Sequence, residues 1–90
     1  MRTTQNPELM RAFAAEVKAR RGELGISQEE LAHRAGVNRT FVAKVELSQN
    51  QPSLTVLHKL SLGLEIDLPD LLTKTLARQR RTARETSRST

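Results

Sequence analysis

The 90-residue chain contains no cysteine, tryptophan or tyrosine, and phenylalanine occurs only twice. The missing thiols exclude disulfides and thiolate metal sites. The shortage of aromatics removes the platforms on which unpaired bases stack, which argues against an RNA-binding protein. Phe13 and Phe41 read as core residues instead. No apolar run approaches the roughly 18 residues of a membrane span, and no charged-then-apolar leader opens the chain. A cytoplasmic protein without a membrane partner is the simple expectation. His33 and His58 are the only histidines, and no carboxylate cluster accompanies them. Glu29-Glu30 reads as a helix start rather than an acid–base pair. With no phosphate-cradling glycine loop and no metal-ligand spacing, neither an enzyme nor a cofactor or metal is expected.

Ninety residues allow one domain plus tails, and a chain this short buries roughly 60% of its unfolded surface. The net charge of +5 suggests a nucleic-acid partner, but its location tempers that reading. Residues 77–90, ARQRRTARETSRST, hold five arginines and one glutamate. Taking that +4 from +5 leaves +1 for residues 1–76. Cations that recognise a partner from the body of the chain must therefore be placed rather than abundant.

The informative stretch is 27–47, SQEELAHRAGVNRTFVAKVEL. It reads as two short helices around a tight turn at Ala35-Gly36-Val37. Ser27 with Glu30 three residues on has the capping-box spacing. Gly36 supplies a left-handed corner, and Asn38 caps the second helix. In that second helix Val37, Phe41, Val42 and Val45 share an inward face by helical spacing. Arg39, Thr40, Ala43, Lys44 and Leu47 share the other, which carries two cations and no acid. Small and donor-bearing side chains of this kind suit the DNA major groove. An ordinary amphipathic pair with a solvated face would show the same pattern.

The flanking segments organise around this pair. Met1 to Gln5 is polar and loose. Asn6-Pro7-Glu8 starts a first helix to about Gly22, with Leu9, Phe13 and Val17 inward and Arg20 and Arg21 in its last turn. Gly25 marks the next corner. Leu47 to Pro52 is a polar loop. Ser53 caps a fourth helix with Leu54, Leu57 and Leu60 inward and Val56 and Leu64 flanking. Asp67 or Leu68 starts a fifth, striped by Leu68, Leu71, Leu72 and Leu76. Residues 54–76 contain nine leucines, a valine and an isoleucine, more than one small core absorbs. The surplus points to a partner surface, with Leu68, Leu72 or Leu76 facing a second copy. The organisation is thus a flexible N-terminus 1–6, a folded unit 7–77, and a basic tail 78–90 expected to fray into disorder. The tail either touches DNA phosphates or keeps the protein soluble.

From Val17 to Leu72 the chain resembles the Cro/cI-type (XRE) helix-turn-helix family. The resemblance rests on VKARRGELGISQEELA at 17–32, AGVNRTFVAKVE at 35–46, PSLTVLHKL at 52–60 and DLPDLL at 67–72. It implies an all-α, five-helix lambda-repressor-like fold and a transcription regulator that binds a double-stranded DNA operator, often as a repressor. The motif's second helix would read the bases. By position, the resemblance implies that Gln28 braces that helix or touches phosphate, and that Asn38, Arg39 and Thr40 open it. Lys44 follows one turn on, and Ser48, Gln49 and Asn50 occupy the loop that meets phosphates. Arg21 and Glu46 match a pair that joins the first helix to the third; the plainer reading is two separate solvated charges. Three departures stand out. Leu47-Ser48 replaces a common Arg-Gly. Glu65 occupies a corner where glycine is frequent, and must take a left-handed backbone or change the corner. Ser61 and Gly63 replace two alanines, a change expected to loosen the fourth helix. A homodimer on a palindromic operator is the expected assembly, because one small module reads few base pairs. The alternatives are an antitoxin-type protein with a toxin partner, or a restriction–modification controller.

Overall fold

Side-chain caps and left-handed corners divide the chain into five α-helices in the computed structural model, which describes residues 6–89, with side chains to residue 85. They are α1 (Pro7–Leu24), α2 (Gln28–Ala35), α3 (Arg39–Glu46), α4 (Leu54–Gly63) and α5 (Leu68–Ser89). Each of the first four begins with a side-chain oxygen taking a backbone N–H that the helix itself leaves unpaired. Asn6 Oδ1 accepts from Leu9 at 3.1 Å, Ser27 Oγ from Glu30 at 3.0 Å, Asn38 Oδ1 from Phe41 at 2.7 Å, and Ser53 Oγ from Val56 at 3.3 Å. Gly25 (φ 68) and Gly36 (φ 71) close α1 and α2 in the left-handed region. The first helix therefore passes through Gly22 and ends two residues later than expected.

Two corners are made by residues with a Cβ. Glu65 sits at φ 55 and Ser48 at φ 60. Non-glycine residues meet a penalty of roughly 1–2 kcal/mol in this region. At Glu65 a clasp offsets it. Arg20 Nε donates to Leu64 O and its Nη2 to Glu65 O, both at 2.8 Å. Arg34 Nη1 donates to Glu65 Oε2 at 2.8 Å. At Ser48 the corner is closed by backbone alone: Ser48 N–H donates to Val45 O at 3.0 Å and Gln49 N–H to Lys44 O at 2.8 Å.

The core draws on every helix. Met10, Phe13 and Val17 of α1 meet Leu31, Ala32 and Ala35 of α2, Val42 and Val45 of α3, Leu60 and Leu64 around the end of α4, and Leu71 of α5. Gly63 does not loosen α4, contrary to expectation. A Cβ there would lie 3.0 Å from Leu31 Cδ1 and 3.1 Å from the backbone nitrogen of Ala35, so its absence lets α4 lie against α2. Buried Ser61 turns its Oγ back to His58 O at 2.7 Å. The inward stripe of α4 is also rephased. Leu60 and Leu64 are fully buried, whereas Leu54, expected inside, is 73% exposed. At about 100° per residue, Leu54 lies at the edge of the arc that Leu57, Leu60 and Leu64 centre on the core.

The basic tail expected to be disordered from residue 78 is helical. α5 continues without a break through Ser89. Arg78 Nε donates to Glu16 Oε1 at 2.9 Å and ties the helix to α1. Beyond it, no glycine or proline interrupts residues 77–89, and Ala, Arg, Gln and Glu are strong helix formers. Of the N-terminal segment expected to be flexible, Asn6 is the ordered cap of α1 and residues 1–5 lie outside those described. Among the described residues, no helix is long and apolar enough to cross a membrane.

Candidate nucleic-acid interface

The geometry of α3 follows from how it is held from behind. Val42 and Val45 are completely buried, and Val37 and Phe41 pack half-buried against the same core. Glu46, on the last turn, points inward and is 5% exposed. Arg21 meets its carboxylate in a two-point contact, Nε to Oε2 at 2.7 Å and Nη2 to Oε1 at 3.0 Å. The remaining Arg21 Nη1 donates to Ile26 O at 3.0 Å in the α1–α2 corner. Gln28 Nε2 adds a third hydrogen bond to Glu46 Oε1 at 3.0 Å. Of the two roles expected of Gln28, the bracing contact is the one made in this structure. The solvated-charge reading of Arg21 and Glu46 is replaced by a part-buried ion pair. Burial alone opposes ionisation of Glu46 most strongly. The hydrogen bonds from Arg21 and Gln28, with the charges of Arg21 and Lys18, outweigh it and lower the carboxyl below its ordinary value. Glu46 thus stays an anion, and its charge is spent inside the protein.

That arrangement leaves the opposite side of α3 free of acids. Arg39, Thr40 and Lys44 are exposed, Ala43 between them is half-buried, and Leu47 is 64% exposed at the far end. Asn38 is exposed beside Arg39, with its oxygen committed to the cap. Behind α3 the loop presents Gln49 outward, with Ser48 and Asn50 half-buried. The residues expected to form one site therefore do lie on one helix face and the loop that continues it. Gln28 alone stands behind the face rather than on it.

The leucines expected to meet a second copy are not equivalent. Leu68 is half-buried and packs against the core. Leu72 lines a groove of about 180 Å³ with Leu9, Met10, Phe13, Pro52 and Leu57. Leu76 is 45% exposed. Sequence reasoning missed a companion stripe on α4: Leu54, His58 and Leu62 recur every four residues and are all exposed, Leu62 by 64%. Their i, i+4, i+8 spacing was visible, but assigning Leu54 to the core hid it. Arg20 and Arg34, which hold the α4–α5 corner, were also missed, since their partners lie 31 to 45 residues away. His33 and His58 are exposed on different helices, and no group of three or more metal-binding side chains forms among the described residues.

Comparison with known proteins agrees with this geometry. Residues 17–71 match the Helix-turn-helix family model. The chain is 31% identical over 67 residues to the control protein C.SmaI of Serratia marcescens, covering 74% of this chain and 80% of that one. It superposes on the restriction-modification controller protein C.AhdI of Aeromonas hydrophila with a TM-score of 0.67 at 34% identity, over 69% of this chain and 94% of that one. The clp gene regulator ClgR of Corynebacterium glutamicum shares the fold more extensively, with a TM-score of 0.84 over 90% of this chain and 86% of that one, at 20% identity. A buried ion pair sets α3, an acid-free face is turned outward, and the family model spans more than half the chain: the protein belongs to the Cro/cI-type (XRE) helix-turn-helix family of DNA-binding regulators.

Proposed function

We propose that this regulator recognises a palindromic operator in double-stranded DNA as a homodimer, with α3 of each copy in the major groove. The observation that carries the reading is the rigid, acid-free face of α3. The one acid of α3, Glu46, is turned inward, paired with Arg21 and hydrogen-bonded by Gln28. Arg39, on the first turn, donates to guanine O6 and N7 in a two-point contact worth about 1–3 kcal/mol of discrimination. Thr40 meets a thymine methyl or a phosphate, and Lys44 reaches a base or phosphate one turn further on. Asn38, Ser48, Gln49 and Asn50 donate to backbone oxygens and fix the register. Gln28 acts through Glu46 and not by touching DNA.

One module of this size offers less than the roughly 1,000–2,500 Å² of protein surface that specific sites bury. A two-fold dimer doubles it and sets half-sites about 10 base pairs apart. Leu76 and Leu72 of α5, with Leu54 and Leu62 of α4, supply the apolar surface for that contact. Leu68 supports it from the core side.

The test is selection of bound duplexes from random DNA. A palindrome with half-sites one helical turn apart supports both reader and dimer. Arg39→Ala is then expected to weaken the selected site by about 1–3 kcal/mol and to relax one base-pair preference per half-site. An equal loss on unrelated DNA removes Arg39 from the base-reading set. The similarity to C.SmaI and C.AhdI favours, as a second reading, control of a restriction–modification system. Neighbouring reading frames for a methyltransferase and an endonuclease support it; a small toxin frame favours the antitoxin alternative.

A further inference from the structure

One exposed apolar side chain lies on the reading face itself. Leu47 follows Arg39 and Ala43 at steps of four along α3 and is 64% exposed. The other strongly exposed leucines, Leu54, Leu62 and Leu76, lie on α4 and α5. Leu47 is not a frayed end. Its N–H still donates to Ala43 O at 3.0 Å, and the next two N–H groups close on Val45 O and Lys44 O. Its direction is set by its neighbour: Glu46 is locked inward by Arg21 and Gln28, and one residue on, about 100° around the axis, Leu47 is turned away from the core. A branched aliphatic group has no hydrogen bond to offer a base edge or a phosphate. The one apolar group that a base pair presents in the major groove is the thymine C5-methyl.

We infer that Leu47 is a specificity-determining residue that recognises a thymine methyl at the end of the half-site furthest from Arg39. The inference rests on α3 reading the major groove. It assigns to Leu47 a contact of a different kind from those of Arg39 and Lys44: apolar, insensitive to salt, and selective for a methyl group rather than for donors or acceptors. Ala43, small and half-buried between them, leaves the intervening base step room to approach the backbone of α3.

The experiment uses the full chain and the duplex selected from random DNA, with each thymine of one half-site replaced in turn by deoxyuridine, which removes only the methyl. Wild type is expected to lose about four-fold in affinity at one such position, the worth of one methyl taken out of water. Leu47→Ala is expected to bind the thymine duplex more weakly by a similar factor and to be indifferent to deoxyuridine there. Thr40→Ser keeps that sensitivity, which separates Leu47 from the other residue able to touch a methyl. The slope of affinity against salt is expected to stay unchanged in Leu47→Ala, since no phosphate contact is lost. Leu47 is exposed, so an unaltered thermal midpoint verifies that the variant folds. The inference is overturned if no deoxyuridine position matters, or if Leu47→Ala remains as sensitive as wild type. Either result leaves a selected palindrome, and so the reading of DNA by α3, standing. Failure to select any sequence overturns both.

Discussion

Arg21 and Glu46 face each other across the α1–α3 contact, and both oxygens of the carboxylate are taken by the same guanidinium, at 2.7 and 3.0 Å. The Glu46 side chain is 3% exposed and that of Arg21 21%. Removing either partner strands the other, and the stranded groups differ. Arg21→Ala leaves a buried anion with one remaining side-chain hydrogen bond, from Gln28, and the more distant charge of Lys18. Glu46→Ala leaves a cation that is already partly hydrated. Urea unfolding at neutral pH is expected to show a loss of about 3 kcal/mol for Glu46→Ala and a larger loss, towards about 5 kcal/mol, for Arg21→Ala.

The same pair fixes an acid limit. The Glu46 carboxyl is held below its ordinary value of 4.5. Its contribution to stability is therefore complete above pH 4.5 and is lost as pH falls through the lower folded value. Unfolding free energy measured across the acid range is expected to fall more gently in Glu46→Gln than in wild type. Parallel curves for the two proteins assign the acid sensitivity to other carboxylates.

The two left-handed corners without glycine invite a paired comparison. Ser48→Gly relieves φ 60 where only backbone hydrogen bonds hold the turn, and is expected to stabilise the protein by about 1 kcal/mol. Glu65→Gly relieves φ 55 but also removes the acceptor of Arg34. Its gain is expected to be smaller, as an exposed ion pair contributes about 0–1 kcal/mol. Thermal midpoints of the two variants give the order.

Gly63→Ala is expected to destabilise, although alanine is favoured in a helix interior by about 1 kcal/mol. The added methyl meets Leu31 Cδ1 at 3.0 Å and the Ala35 backbone nitrogen at 3.1 Å. A leucine end can rotate away, whereas backbone cannot without moving α2. Overpacking of this kind costs about 1–3 kcal/mol. A lowered denaturant midpoint is the readout.

The proposed dimer can be separated from the fold. Leu62 is 64% exposed, so Leu62→Glu leaves the core intact. Sedimentation is expected to show a shift towards monomer at a concentration where wild type is dimeric, with an unchanged helical signal. A dimer as tight as wild type removes α4 from the interface.

Local contacts were the legible part of the sequence. Ser27, Asn38 and Ser53 cap within three residues of themselves, and the glycines at 25 and 36 mark corners that need no distant partner. Arg21 and Glu46 could be paired only because the family resemblance supplied the register, since 25 residues separate them. The α4–α5 corner was legible as a problem at Glu65 but not in its solution, because Arg20 and Arg34 come from α1 and α2. Leu54 was misplaced because a run of leucines satisfies more than one helical phase, and only packing against α2 and α5 selects among them. The end of α5 was misjudged because its charge and polarity were weighed above the helix propensity of its Ala, Arg, Gln and Glu residues, and because the Arg78–Glu16 contact joins residues 62 apart in the chain.

Capping α3 narrows the chemical vocabulary of the residue that precedes the helix. Asn38 Oδ1 is already engaged at 2.7 Å by the Phe41 N–H, while the amide NH₂ is uncommitted. A free asparagine can give and take at once along the edge of an adenine. This one has half of that exchange spent on its own helix. Position 38 is thereby better suited to donating a hydrogen bond to a phosphate oxygen than to the paired exchange that identifies adenine.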